Sequence, residues 1–169
     1  RLDVLVNNAA TNPYFGPFIY APESMYDKTF EINVKGYFLV AQQAAQMMAN
    51  QGNGGSIINI ASIEGLSPSP LMGIYSMTKA AVIMMTKVMA KELAGANIRC
   101  NCICPGLTET KFAKVLIDTP EIYKHYIENA PMARHAQPAE IAGAAVYFAS
   151  DASSYTTGAV LTCDGGSSV

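Results

Sequence analysis

"SIINIAS", Ser56–Ser62, is a run of apolar residues that ends on a hydroxyl. It is too short and too unpatterned for an amphipathic helix, and it reads as a strand buried on both faces. Working outward, "NQGNGG" at Asn50–Gly55 stops whatever precedes it. From Pro22 to about Asn50 the apolar residues Met25, Phe30, Val34, Phe38, Ala41 and Ala45 recur at three- and four-residue spacings, which predicts a helix. Before that helix, "LDVLVNNA" is a second buried strand closed by Asn-Asn. On the other side of Ser62, the proline-punctuated loop "LSPSPLMG" leads into a helix from about Met72 to Ala94. "IRCNCICPG" is a third strand, stopped by Pro105-Gly106. Leu107 to Gln137 carries mixed helical signals, Pro138 opens a helix, and "GAVLTCDGG" is a last strand. The order βαβαβ(α)αβ predicts one α/β domain over 1–169, a parallel sheet covered on both faces by right-handed crossovers. In such sheets chemistry gathers at the carboxyl ends of strands, here Asn7 and Asn8, Ser62, and Pro105-Gly106.

Composition narrows the function. Half of the 169 residues are hydrophobic, enough for a sizeable core. Eleven Lys and Arg against 13 Asp and Glu give a net charge of -2 with no basic run, so the electrostatic footprint of a nucleic-acid binder is missing. No apolar run reaches the roughly 20 residues of a membrane helix, and the amino terminus lacks the layout of a signal peptide, so a soluble, cytoplasmic protein is expected. Cys100, Cys102 and Cys104 alternate, which puts all three on one face of a strand. Without CxxC or a nearby fourth donor they read as small buried residues rather than a metal site.

The candidate chemistry lies in "YSMTK", Tyr75–Lys79. On a helix, positions i and i+4 put a phenol and an ammonium side by side. Ser62, at the tip of the preceding strand, comes within reach if the intervening loop folds back. A hydroxyl, a phenol and a cation suit proton exchange with a carbonyl or alcohol oxygen. A free tyrosine has a pKa of about 10, and a nearby cation favours its phenolate. Lys79 is therefore expected to lower the pKa of Tyr75 toward the range useful in acid-base catalysis, with Ser62 orienting the substrate oxygen. Taken singly, such residues are more often structural. A Tyr packs, a Lys is solvated and a Ser ends a strand.

Six segments together resemble the short-chain dehydrogenases/reductases: "LDVLVNNAA", "EINVKG", "SIINIAS", "YSMTKAA", "RCNCICPGLTET" and "DASSYTTGAVLTCDGG", in that order. The resemblance implies a Rossmann-like doubly wound parallel sheet and a tetrad of Asn33, Ser62, Tyr75 and Lys79. Asn33 would interrupt its helix and hold a water that links Lys79 to solvent. It further implies NAD or NADP as cofactor, lined by Asn8, Ala9, Tyr75, Lys79, Pro105, Gly106, Thr108 and Thr110, with Lys79 on the nicotinamide ribose. A small alcohol or ketone is the implied substrate and a homo-oligomer, tetramer or dimer, the implied assembly. 3-Oxoacyl thioesters, steroids, sugars and small ketones all remain open.

Ala10 departs from the family's usual glycine. The larger departure is the absence of the glycine-rich TGxxxGxG turn that meets the pyrophosphate, because "GNGG" at Gly52–Gly55 precedes a strand, not a helix. By resemblance, roughly the first 80 residues are missing, and with them the acidic or basic residue that separates NAD from NADP. The chain looks like the C-terminal portion of the fold, whose first strand would then expose its edge. An inactive fragment or a noncatalytic assembly partner is the alternative to an active oxidoreductase. Residues 107–137 are expected to form a substrate lid. Glu64, Leu71, Met72, Tyr14 and Phe15 could shape the substrate pocket, and His125 and His135 are expected to be exposed.

Overall fold

A computed structural model describes all residues from Arg1 to Val169. Four strands, β1 (Val4–Asn7), β2 (Gly55–Ile60), β3 (Ile98–Pro105) and β4 (Val160–Cys163), pair in sequential order and all in parallel. This is the parallel sheet the alternation implied, in the Rossmann-like arrangement the family resemblance implied. β1 has a partner on one side only.

The helix expected from Pro22 to Asn50 exists but is broken. α1 (Glu23–Phe30) runs through a wide π-helical turn, Glu31–Gly36, into α2 (Tyr37–Gln51). A π turn inserts one residue into the hydrogen-bond ladder, which rotates the side chains that follow and frees a carbonyl from its usual partner. Asn33 sits inside it. Gly52 ends α2 in the left-handed conformation, at φ 73°, as the glycine-rich stop implied. α3 (Gly73–Leu93) follows the proline-punctuated loop.

Residues Ala41, Ala45 and Met48 of α2 and Ala90 of α3 pack with Ile57 and Cys100 on one face of the sheet. Cys102 and Cys104 join Val82 and Ile83 of α3 on that same face. The three thiols are thus fully buried core residues, as the period of two required.

After β3 come α4 (Lys114–Asp118), α5 (Pro120–Glu128) and α6 (Pro138–Ala149). α6 covers the opposite face, where Phe148 packs on Ile58 and Ile103. The step from β3 to β4 moves across the sheet in the same direction as the earlier two, yet its helix lies on the other side. That crossover therefore has the opposite hand to the first two, against the expectation of uniform right-handedness. The long segment 107–137 gives the chain the reach to swing round the strand ends. Its base is closed by hydrogen bonds from Glu109 N–H to the Ala136 carbonyl, 2.9 Å, and from Ala136 N–H to the Leu107 carbonyl, 2.9 Å. No helix is long and apolar enough to cross a membrane.

Candidate functional site

The loop after β2 folds back onto α3 because Gly65 has no side chain. A Cβ there would stand 2.6 Å from the carbonyl carbon of Lys79, closer than any real contact. That approach brings Ser62, Tyr75 and Lys79 to the wall of one cavity, with the Ser62 hydroxyl close enough to favour the Tyr75 phenolate. The three residues that sequence spacing selected converge.

Lys79 is 1 % exposed. Its Nζ donates to the Ile60 carbonyl at 2.9 Å and lies 5.4 Å from the ring centre of Tyr37 and 5.5 Å from that of Tyr75. Burial pulls its ammonium down from 10.5 to about 8, against the opposing influence of the Cys102 and Cys104 thiols. Tyr75 departs from expectation in the opposite sense: burial raises its phenol above 10, and the nearby Ser62 hydroxyl offsets only part of that. The nearby Glu64 carboxylate and Tyr126 phenol push it further the same way. Desolvation of the buried phenol is the largest influence on it at rest. The resting phenol keeps its proton.

Asn33 is fully buried, and its side chain is committed. Its Oδ1 accepts from Thr11 N–H at 2.8 Å, while Nδ2 donates to the Thr11 carbonyl at 2.9 Å and to Thr78 Oγ1 at 3.1 Å. It clasps the loop after β1 against α3, and Thr78 lies next to Lys79. Tyr37, four residues on, was missed by the sequence reading. Its hydroxyl donates to the same Ile60 carbonyl as Lys79, at 3.1 Å. Helical spacing from Asn33 was the signal available. Below it, Asn7 Nδ2 donates to Asn59 Oδ1 at 3.0 Å and Asn59 Nδ2 to Thr86 Oγ1 at 2.9 Å, a buried polar column under the strand tips.

A cavity of about 720 Å³ opens above these tips. Asn8, Ala9, Ser62, Tyr75, Lys79, Pro105, Gly106, Thr108 and Thr110 all line it. Asn33 does not, since it lies behind the wall. Of the residues expected to shape the substrate end, Glu64 and Met72 face the cavity, whereas Leu71, Tyr14 and Phe15 do not. Phe112, Leu116 and Tyr126 from the segment 107–137 and Ile141 from α6 complete it, none of them marked by a sequence motif.

This geometry agrees with comparisons to known proteins. A family model described as Enoyl-(Acyl carrier protein) reductase matches residues 1–168. The chain belongs to the short-chain dehydrogenase/reductase family. It is 38% identical over 166 residues to Dehydrogenase/reductase SDR family member 4 of Bos taurus, covering 98% of this chain and 59% of that protein. To a 3-oxoacyl-(acyl-carrier-protein) reductase of Thermotoga maritima it is 41% identical over 167 residues, covering 98% and 66%. A gluconate 5-dehydrogenase of Burkholderia cenocepacia, solved in complex with NADP and tartrate, superposes with a TM-score of 0.94 at 35% identity, covering 97% of this chain and 64% of that one. A short-chain type dehydrogenase/reductase of Mycobacterium ulcerans gives 0.95 at 32%, covering 99% and 60%. The chain thus spans about three-fifths of the length of such short-chain dehydrogenases/reductases.

His135 is not the exposed residue expected. Its Nδ1 pairs with Tyr123 OH at 2.9 Å and its Nε2 with Glu109 Oε2 at 3.3 Å, which ties α5 to the base of segment 107–137.

Proposed function

We propose that this chain carries the catalytic half of an NAD(P)-dependent oxidoreductase that interconverts a secondary alcohol and a ketone. The observation that carries the reading is the convergence of Ser62, Tyr75 and Lys79 at one end of a cavity whose rim holds Asn8, Thr108 and Thr110. The residues present fit the nicotinamide end of such a cofactor. Small residues, Ala9, Ala10 and Gly106, leave room for a flat ring against backbone, and a buried cation stands beside the phenol. The pyrophosphate end has no glycine-rich turn among these 169 residues. Pro105, Gly106, Thr108 and Thr110 would hold the cofactor's nicotinamide end, with Lys79 at its ribose, and Asn8 and Ala9 would line its adenosine side.

When bound, the cofactor supplies or takes the hydride at the carbonyl carbon. Everything else falls to the protein. Ser62 holds the substrate oxygen by hydrogen bond and aims it at the Tyr75 phenol. Tyr75, protonated at rest, donates that proton to the oxygen as it gains charge during reduction and takes it back during oxidation. The Lys79 ammonium stabilises the phenolate that remains. Reprotonation runs through water held at Asn33. Its side chain is committed to Thr11 and Thr78, so a backbone group of the π turn would have to hold this water. Phe38, Leu39, Met84 and Val88, exposed on α2 and α3, support a homo-oligomer.

The test is NAD(P)H oxidation by the full chain over a panel of ketones, beside Tyr75→Phe. Loss of about 10² to 10⁴ in kcat is expected, the usual worth of a positioned general acid. Equal rates for the two proteins would remove the phenol from the mechanism.

A further inference from the structure

We propose that Glu64 makes the substrate end of the cavity select uncharged ketones and secondary alcohols over carboxylate-bearing ones. This rests on the oxidoreductase reading above and names the substrate class of that same site.

Glu64 lies two residues past Ser62 and is only 6 % exposed, yet it lines the cavity. Its backbone N–H donates to Ser62 Oγ at 3.1 Å, so its placement is tied to that of the substrate-orienting hydroxyl. The carboxylate is held from the other side. Oε2 accepts from Ser69 N–H at 2.7 Å and from Ser76 Oγ at 3.2 Å, and Oε1 accepts from Ser69 Oγ at 2.7 Å. Ser76 is the neighbour of Tyr75. Ser69 places one donor on each oxygen and fixes the carboxylate, while the single proton of Ser76 is shared between it and the Met72 carbonyl at 3.0 Å.

Only two charged side chains line the cavity, Glu64 and Lys79. The ammonium donates to the Ile60 carbonyl and lies 5.5 Å from the Tyr75 ring centre, on the far side of the cavity's catalytic end. No arginine or histidine faces the cavity to receive a second anion. The serine donors nearest Glu64 are already occupied by it. What remains around it is Met72, Phe112 and Leu116, with Tyr126, whose hydroxyl has the Met72 sulfur as its partner at 3.7 Å. A mostly apolar lining, whose uncharged polar groups are the hydroxyls of Ser62, Tyr75, Thr108, Thr110 and Tyr126 and the amide of Asn8, suits a neutral ligand and leaves a substrate carboxylate facing a fixed like charge. At a separation of about 6 Å and an effective dielectric of about 20, the repulsion corresponds to a penalty of roughly a hundredfold in binding.

The experiment compares ethyl 3-oxohexanoate with 3-oxohexanoate, the same ketone with and without the charge. Both are measured in the full chain by kcat/KM with NAD(P)H and by titration calorimetry without turnover. The ester is expected to be favoured by roughly a hundredfold in both measurements, and Glu64→Gln, which keeps the side chain's shape, to shrink the preference to about fivefold. A wild-type ratio near one, binding of neither ligand, or an undiminished ratio in the folded variant would each overturn the proposal. If Glu64→Gln does not fold, the wild-type calorimetric ratio decides alone. Tyr75→Phe separates the two readings: unchanged turnover of the ester in that variant sinks the oxidoreductase mechanism, while the binding ratio still judges Glu64.

Discussion

Replacing Lys79 by methionine should stabilise the fold while abolishing its function. Burial brings the ammonium from 10.5 down to about 8, a lowering that corresponds to about 3 kcal/mol at roughly 1.4 kcal/mol per pH unit. Because the native value lies below the unfolded one, the unfolded chain binds the proton more tightly. Stability contributed by this residue is therefore missing below pH 8 and recovered as pH rises from about 8 to 10.5. Methionine has nearly the volume of the lysine stem and no charge to desolvate. It forfeits the hydrogen bond to Ile60, about 1 kcal/mol, but that carbonyl keeps the Tyr37 hydroxyl and is not orphaned. Lys79→Met should thus be about 2 kcal/mol more stable at pH 7, with the advantage gone by pH 10.5. Urea unfolding of both proteins in steps across that range gives the comparison. The difference between them is the quantity to read, because Cys100, raised to about 12 by burial, and the raised phenols of Tyr37 and Tyr75 lower stability at alkaline pH in both. A variant less stable than wild type at pH 7, or a difference that stays flat with pH, would refute the burial argument.

Asn33→Ala removes three hydrogen bonds and leaves the Thr11 backbone groups without their partner; a loss of about 3 kcal/mol in urea unfolding is expected. Gly65→Ala forces the loop off α3 and parts Ser62 from Tyr75, so kcat of the full chain should fall by about tenfold or more, with a smaller change in cofactor affinity. His135→Ala cuts the tie between Tyr123 and Glu109, and limited proteolysis within 107–137 should speed up by about tenfold while the unfolding midpoint barely moves.

The strands and long helices were legible because burial on both faces leaves short, mostly apolar runs, as in Val4–Val6 and around Asn59 in Ile57–Ile60, and because Gly52 and Pro138 mark helix ends by conformational necessity. The meeting of Ser62, Tyr75 and Lys79 was legible as spacing, but the reason for it, the bare Cα of Gly65 against α3, was not. A glycine's meaning depends on what lies opposite. The π turn left no local signature beyond an asparagine in a helix. The hand of the last crossover could not be read either, since a long irregular segment lets a chain reach either face. His135 was expected to be exposed because its partners, Tyr123 and Glu109, lie far away in sequence, whereas Glu64 was expected at the pocket but the serines that hold it were not legible.

The protonation of the site follows from the same burial that shapes it. Spacing alone suggested a phenol made acidic by its neighbour, whereas the folded chain holds the phenol protonated and the ammonium less firmly charged than in water. These two shifts act together. A protonated phenol is the form that can give a proton to a ketone oxygen, and a cation poorly solvated by water is the form that gains most when a phenolate appears beside it. In the mechanism we propose, the energy withheld from Lys79 at rest would be returned as the proton leaves Tyr75. Removing the charge relaxes the fold and removes that return in one step, which is why stability and catalysis at this position should move in opposite directions.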